Sequence, residues 1–173
     1  METFKNHWKG ELKLRIIIDG DSCPVIGLTE SIAKTFNLKL ILFCDYNHDI
    51  ELEYGKVIKV DQSYQSVDIK IINYTENDDI IVTNDYGLAS LVLSKNAYAI
   101  NPKGHIYNEK NINYLLMKRH LNKKIRKAGG KHPTPKKRTE KDNIRFENRL
   151  KILIKNIEKG WQIKLPALFY IIC

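Results

Sequence analysis

Four aspartates have the side-chain chemistry and the placement that a divalent-metal site requires. They follow or lie beside apolar runs of the chain, and they are Asp19, Asp21, Asp68 and Asp85. Clustered carboxylates repel one another unless a cation neutralises them, and oxygen-rich acidic sites suit Mg²⁺ or Mn²⁺. Such ions activate water for phosphodiester cleavage. Each aspartate alone is better explained as a turn or helix-cap residue, and only the four together favour a catalytic metal site, so both interpretations stay open.

Five short apolar runs predict the strands that bring these aspartates together. The first, residues 14–19, is apolar along most of its length and ends in a carboxylate, which is typical of a strand buried on both faces. The other runs cover residues 38–44, 57–60, 79–83 and 97–100. Helical patterns between the runs indicate βαβ units. We therefore predict an α/β fold, a three-layer sandwich with a central, mainly parallel sheet.

The sheet would place three of the aspartates at one edge. Parallel α/β sheets bind ligands beyond the carboxyl ends of their strands. Asp19 ends the first predicted strand, Asp21 lies just past it, and Asp85 follows the fourth. Because the first and fourth strands are neighbours in many such sheets, we expect these three side chains to converge.

Asp68 belongs to a helix that we predict over residues 62–74. Asp61, Gln65 and Asp68 are four and three residues apart and would share one face of that helix. Asp61 is better interpreted as the helix cap than as a ligand. A different, apolar face is predicted to enter the core and contains Tyr64, Val67, Ile71 and Tyr74.

The C-terminal third of the chain is helical and basic. Residues 118–151 contain 14 Lys or Arg and 3 acidic residues, in a chain whose net charge is +9. Gly129 and Gly130 end a first helix, and a linker over residues 131–139 precedes a last one. Each helix has one apolar face, formed by Tyr114, Met117, Leu121 and Ile125 in the first and by Phe146, Leu150, Leu153 and Ile157 in the second.

This basic helical arm indicates a polyanionic partner, nucleic acid before a membrane surface. A solvated helical face explains such a charge run as well. The residues that we predict to hold an RNA backbone are Lys118, Arg119, Lys123, Lys124, Arg126 and Lys127. Tyr107 and Tyr114 could stack on bases, although core packing is the simpler interpretation for Tyr114.

The sequence shows no pattern for a cysteine or histidine metal site, a signal peptide or a membrane span. Its three cysteines have no paired spacing, and none of its five histidines shows ligand spacing. The first eleven residues lack the apolar core of a signal peptide. The apolar stretch over residues 165–173 is too short to span a bilayer. We predict a cytoplasmic protein with RNA as partner and no membrane.

Several segments resemble the YaiI/YqxD family of bacterial proteins. Residues 18–25, IDGDSCPV, are similar to its D-x-D/N-x-C-P-V signature. Residues 60–68 resemble its V-D-x-x-x-D-x-x-D segment, and residues 79–89 resemble its D-I-V-V-T-x-D-x-x-L-A segment. The turn at residues 101–104 and the helix at 146–150 match later parts of the family pattern.

This family in turn resembles PIN-like nuclease domains, which are α/β folds whose acidic cluster binds Mg²⁺ or Mn²⁺ for RNA hydrolysis. The resemblance implies metal-binding roles for Asp19, Asp68 and Asp85, with Asp21 close by. It covers roughly residues 14 to 157. One departure is that the middle acid of the second segment is Gln65 here, which keeps an oxygen donor but removes a negative charge.

We therefore predict a PIN-like domain over residues 12–128, a basic linker and helix on the same domain over 129–160, and an unassigned tail over 161–173. The predicted function is divalent-metal-dependent hydrolysis of RNA. One alternative is a non-catalytic RNA-binding module that uses the same basic arm. The other is a haloacid-dehalogenase-like phosphatase, in which Asp19 would be the nucleophile and Asp21 the acid/base.

Overall fold

Five parallel strands form the central layer of the protein. The computed structural model describes residues 14–61, 66–129 and 137–160. The strands are β1 (Arg15–Asp19), β2 (Lys39–Asp45), β3 (Lys56–Val60), β4 (Ile80–Val82) and β5 (Tyr98–Ile100). Their order in the sheet is β3-β2-β1-β4-β5, and every neighbouring pair is parallel. The predicted α/β fold with a central parallel sheet is confirmed, and β1 lies in the middle with β4 as its neighbour.

Helices cover both faces of the sheet. On one face lie α1 (Ile26–Thr35) and α5 (Glu140–Glu158). On the other lie α2 (Val67–Tyr74), α3 (Tyr86–Ser94) and α4 (Glu109–Lys127). This arrangement is the predicted three-layer sandwich. None of the helices in the described ranges is long and apolar enough to cross a membrane.

The apolar run of β1 is explained by burial on both of its faces. Successive side chains of a strand point to opposite sides of the sheet. Ile16 and Ile18 enter the core under α1 and α5, whereas Ile17 enters the core under α2, α3 and α4. Neither face of β1 meets solvent. Its side chains therefore alternate between two apolar cores rather than between a core and water.

The last helix packs on the body of the protein. Its side chains Phe146, Leu150, Leu153 and Ile154 are buried against the sheet and α1. The predicted apolar face of this helix is therefore the face that it buries, with Ile157 partly covered. The basic residues of α5 lie around this anchored face.

Helix α4 differs from the sequence-based expectation. Its predicted apolar face is exposed, with Tyr114 61% and Met117 62% accessible, and Leu121 and Ile125 are also exposed. The helix instead contacts the body through Ile112, Leu115 and Leu116, which lie on its other side. Core packing of Tyr114 was therefore the wrong interpretation, because spacing identifies an apolar face but not which face the fold covers.

Helix α2 also begins later than its pattern indicates. It starts at Val67, and the Ser66 hydroxyl accepts a hydrogen bond from the Ile69 amide as its N-cap. Asp61 is therefore not the cap, and Asp61 and Asp68 do not share a helical face. Residue 65, the third member of that predicted face, lies outside the described residues, as does Tyr64. Val67 and Ile71 are buried as predicted.

A buried ion pair fixes β1 to the chain that enters β4. Arg15 Nε donates to Asp79 Oδ1 at 2.8 Å, and Arg15 Nη2 donates to Asp79 Oδ2 at 2.6 Å. The Asp79 side chain is fully buried and also accepts a hydrogen bond from the Glu76 amide. This two-point contact holds the amino ends of the two central strands together, at the edge opposite the aspartates.

Candidate metal centre

The four predicted aspartates line one cleft at the carboxyl ends of β1 and β4. The cleft has a volume of about 540 Å³. Its lining consists of Asp19, Asp21, Asp68, Asn84, Asp85, Tyr86 and Arg119. The carboxyl ends of the adjacent parallel strands β1 and β4 explain why Asp19, Asp21 and Asp85 converge, whereas Asp68 is supplied by α2. The structure thus brings together four aspartates that are up to 66 positions apart in the chain.

Asp19 is the buried member of the group. Asp19 is the last residue of β1, and it is only 8% exposed. The Thr83 hydroxyl donates a hydrogen bond to Asp19 Oδ2 at 2.7 Å and accepts one from the Asp85 amide at 3.0 Å. The pKa of Asp19 is raised to about 6, mainly because burial disfavours its charged form and also because of the neighbouring carboxylates, while the Thr83 hydrogen bond opposes the shift.

Asp21 is held by a tight turn directly after β1. A Cβ atom at Gly20 would lie 2.8 Å from both Leu42 Cδ2 and the Phe43 carbonyl oxygen, so only glycine allows this approach to β2. The turn delivers the Asp21 carboxylate to the end of β2, where its Oδ1 accepts a hydrogen bond from the Asp45 amide at 3.0 Å.

Asp85 makes two kinds of structural contact in addition to lining the cleft. Its Oδ1 accepts hydrogen bonds from the amides of Gly87 and Leu88, which makes it the N-cap of α3. Its Oδ2 lies 3.0 Å from Arg119 Nη1 of α4. The capping role that the sequence left open is therefore real, and it fixes the carboxylate in the position from which it faces the cleft.

Asp68 lies in the first turn of α2, across the cleft from α3. Partial desolvation raises its pKa, and the negative charges of Asp85 and Asp21 raise it further, while Arg119 opposes the shift. The carboxylates of the cleft therefore act on one another electrostatically, with the guanidinium as the opposing charge.

Two functional candidates were missed by sequence reasoning. Asp45 ends β2, and His48 follows it, with His48 Nδ1 hydrogen-bonded to Asp45 Oδ1 at 2.7 Å. His48 Nδ1 also lies 3.5 Å from Asp21 Oδ1. In the part of the chain that the structure describes, Asp21, Asp45 and His48 form a group whose ligand atoms lie within 4.8 Å of one another. The hydrogen bond with His48 lowers the pKa of Asp45.

The register of the sheet explains why Asp45 reaches this point. Asp19 pairs with Phe43, so the last two residues of β2 extend beyond β1 to the level of Asp21. The one available signal was the Asp-x-x-His spacing at residues 45–48 directly after an apolar run. Spacing alone did not reveal that this loop lies beside the turn after β1.

The six basic residues predicted to hold RNA all belong to α4. Of these, Arg119 lines the cleft and pairs with Asp85. The others are exposed along the same helix and do not line the cleft; they are Lys118, Lys123, Lys124, Arg126 and Lys127. Tyr107, the other candidate for base stacking, is 2% exposed and packs edge-on against Tyr86, so it belongs to the core.

Comparison with known proteins identifies the family. The profile of the YaiI/YqxD family, which is described as uncharacterised, matches residues 17–156. The chain belongs to the YaiI/YqxD family. The matched range contains all four cleft aspartates as well as Asp45 and His48. No solved structure gives a significant match.

Curated relatives of this YaiI/YqxD family member carry the name UPF0178 protein. One from Clostridium novyi is 48% identical over 148 residues, which cover 85% of this chain and 99% of the relative. One from Clostridium kluyveri is 46% identical over 143 residues, covering 83% and 94%. One from Natranaerobius thermophilus is 42% identical over 141 residues, covering 82% and 96%.

The donor atoms at this edge of the sheet suit a divalent cation. Carboxylate oxygens are the ligands that Mg²⁺ and Mn²⁺ prefer, and an imidazole nitrogen adds affinity for transition-metal ions. The cleft of this YaiI/YqxD family member offers four carboxylates, and Asp21 connects them to Asp45 and His48. Among the described residues, the group whose ligand atoms lie close enough together to hold a metal ion is Asp21, Asp45 and His48.

Proposed function

We propose that this protein is a metal-dependent ribonuclease that uses Mg²⁺ or Mn²⁺. The observation that supports the proposal is one cleft in which Asp19, Asp21, Asp68 and Asp85 lie beside the cationic helix α4. Four carboxylates around one cavity repel one another, and a bound divalent ion would neutralise part of their negative charge. Such an ion and the nearby protein cations would both favour the approach of an RNA phosphate to this edge of the sheet.

The four aspartates would together bind the divalent ion and orient the attacking water. Bound there, a divalent ion supplies Lewis-acid chemistry, by activating water and neutralising charge on the phosphate. Thr83 holds the Asp19 carboxylate in one orientation, and the α3 amides do the same for Asp85. Asp21 or another carboxylate of the cleft would accept the proton of the attacking water.

Asp45 and His48 extend the set of ligand atoms on the Asp21 side. An imidazole nitrogen binds transition-metal ions more tightly than it binds Mg²⁺. The His48 atom that faces both acids is Nδ1, at 2.7 Å from Asp45 Oδ1 and 3.5 Å from Asp21 Oδ1, so a metal ion bound there would replace its hydrogen bond to Asp45. The proposal therefore favours Mn²⁺ over Mg²⁺ when His48 takes part.

A non-catalytic RNA-binding module is the second candidate. Arg119 lies 3.0 Å from Asp85 and compensates part of the negative charge of the cleft without a metal ion. In such a module the aspartates would act as caps and turn residues, and RNA would be held by α4 alone.

The phosphatase alternative receives less support. Among the described residues, the cation that lines the cleft is Arg119, which pairs with Asp85, and no lysine lies there to hold the phosphate beside an Asp19 nucleophile.

Thermal unfolding with added Mn²⁺ or Mg²⁺ tests the proposal. An ion that binds only the native state raises the melting temperature by mass action. We expect less stabilisation of the Asp19→Asn/Asp85→Asn double variant than of wild type, because the variant keeps Asp21, Asp45 and His48 but loses two carboxylates. The amide oxygen introduced by the second substitution can still cap α3. Asp49→Asn is the control, because Asp49 is an exposed acid outside the cleft.

Each outcome decides between the candidates. A larger rise in melting temperature for wild type and the control than for the double variant supports a metal centre that includes Asp19 and Asp85. If no variant responds at millimolar metal, or if all three respond alike, the ribonuclease proposal fails and the RNA-binding module is favoured.

A further inference from the structure

Five of the six α4 cations that we predict to bind RNA lie on two different faces of the helix. Successive residues of an α-helix advance by about 100°, so Arg119, Lys123 and Arg126 lie within about 60° of one another. Lys118 and Lys124 lie about 100° or more away from Arg119 by the same geometry. The basic surface that the sequence presents as one run is therefore divided in three dimensions.

The face of Arg119, Lys123 and Arg126 continues the contact face of α4. Ile112 is buried and Leu115 is partly buried on this side of the helix, where the first turns pack on the body. One to two turns later the same side reaches the cleft, where Arg119 meets Asp85. Beyond Arg119 the helix is largely exposed, so Lys123 and Arg126 extend the lining of the cleft outward along one line.

The face of Lys118 points elsewhere. The Lys118 ammonium lies 5.9 Å from the ring centroid of Tyr114. Tyr114 belongs to the exposed apolar stripe of α4, on the side away from Ile112. Lys118 is therefore an outer-face residue, and Lys124 lies on the outer side with Met117 and Leu121.

We infer that an RNA strand leaves the cleft along the inner face of α4, where Arg119, Lys123 and Arg126 bind successive phosphates and Lys118 and Lys124 bind none. The three inner cations rise over about 10 Å of helix axis and begin at the aspartates. Their side chains reach the backbone of one strand whose scissile phosphate lies in the cleft. The inference rests on the proposed function and names the path of its substrate.

The test compares two double variants with the same change in charge on the same helix. Lys123→Ala/Arg126→Ala removes the inner cations, and Lys118→Ala/Lys124→Ala removes the outer ones. Binding of a short fluorescein-labelled oligouridylate is measured by anisotropy in EDTA over a range of salt. Each lost phosphate contact lowers the slope of log K against log salt by about 0.7 for a single strand. Thermal melting verifies that both variants are folded.

We expect the inner variant to lose at least about tenfold in affinity and about 1.4 in salt slope. The outer variant is expected to lose no more than about twofold, through the general field alone. Equal losses in the two variants, or a larger loss in the outer one, would overturn the inference.

The same proteins are then assayed for Mn²⁺-dependent cleavage of the oligomer, which separates the two claims. If wild type cleaves RNA and the inner and outer double variants lose equal RNA affinity, the proposed path along α4 is wrong and the ribonuclease proposal stands. If wild type binds along the inner face but does not cleave, the ribonuclease proposal is wrong and the path stands. If wild type neither binds nor cleaves RNA, both are wrong.

Discussion

The Thr83 hydroxyl donates a 2.7 Å hydrogen bond to Asp19 Oδ2 and so connects the carboxyl ends of β4 and β1. Both side chains are buried, at 1% and 8% exposure. The bond favours the ionised carboxylate, yet burial outweighs it and holds the pKa of Asp19 near 6. The ionised form of Asp19 therefore destabilises the folded protein as long as no cation neutralises it.

This relationship predicts how stability depends on pH. The folded pKa of Asp19 lies above its unfolded value of 3.8, so its contribution to stability is present below about pH 4 and is lost as pH rises through about 6. Asp19→Asn should therefore match wild type near pH 3.5 and exceed it by up to about 3 kcal/mol at pH 7.5. Urea unfolding in EDTA at several pH values measures the difference. A difference that is the same at every pH would contradict this account.

Gly20 should be needed for the turn that carries Asp21. Gly20→Ala places a Cβ atom against Leu42 and the Phe43 carbonyl, and we expect a loss of about 1 to 3 kcal/mol together with weaker metal binding. Gly27→Ala in α1 is the control, since a Cβ there meets nothing within 4 Å and should stabilise by up to about 1 kcal/mol. Urea unfolding of both variants tests this; equal effects would show that the approach to β2 is not tight.

The Arg15–Asp79 pair should dominate the stability of the opposite edge of the sheet. Asp79→Asn leaves the guanidinium of Arg15 without its buried carboxylate, and the expected cost is about 3 kcal/mol. Asp49→Asn breaks the exposed pair with Lys59 and should change stability by less than about 1 kcal/mol. Both are read from urea unfolding at neutral pH. A small effect at Asp79 would mean that other contacts hold the two strands together.

Arg119 should compete with a divalent ion for the cleft. Its guanidinium lies 3.0 Å from Asp85 and opposes the rise in the pKa of Asp68. Arg119→Met removes this positive charge and should tighten Mn²⁺ binding by about two- to tenfold, because the carboxylates then face the ion alone. Isothermal titration with Mn²⁺ measures the change. Weaker binding would instead indicate that Arg119 positions Asp85 as a ligand.

Much of the fold was predictable from local pattern. The continuous apolar run of β1 indicated a strand buried on both faces, and Ile16, Ile17 and Ile18 are fully buried. The rule that ligands lie beyond the carboxyl ends of parallel strands placed Asp19 and Asp85 at the same edge. These features depend on residues close in sequence and on general properties of parallel sheets.

The remainder depends on contacts between segments that are distant in sequence. Asp45 meets Asp21 only because the register pairs Asp19 with Phe43 and leaves β2 two residues longer than β1. Likewise, the spacing of Tyr114 and Met117 reveals an apolar face of α4, but which face the fold covers is decided by packing on α3 and the sheet. Neither relationship is contained in spacing along the chain.

Cleavage of a 5′-labelled oligoribonucleotide under single-turnover conditions tests the central claim most directly. Wild type, Asp19→Asn and the exposed-site control Asp49→Asn are compared with Mn²⁺ and with EDTA. We predict that wild type and the control cleave only with the metal, and that Asp19→Asn is at least about 100-fold slower. Since Asp19→Asn is expected to be at least as stable as wild type, unfolding would not explain its loss. Cleavage that persists in EDTA, or that Asp19→Asn retains, would contradict the account.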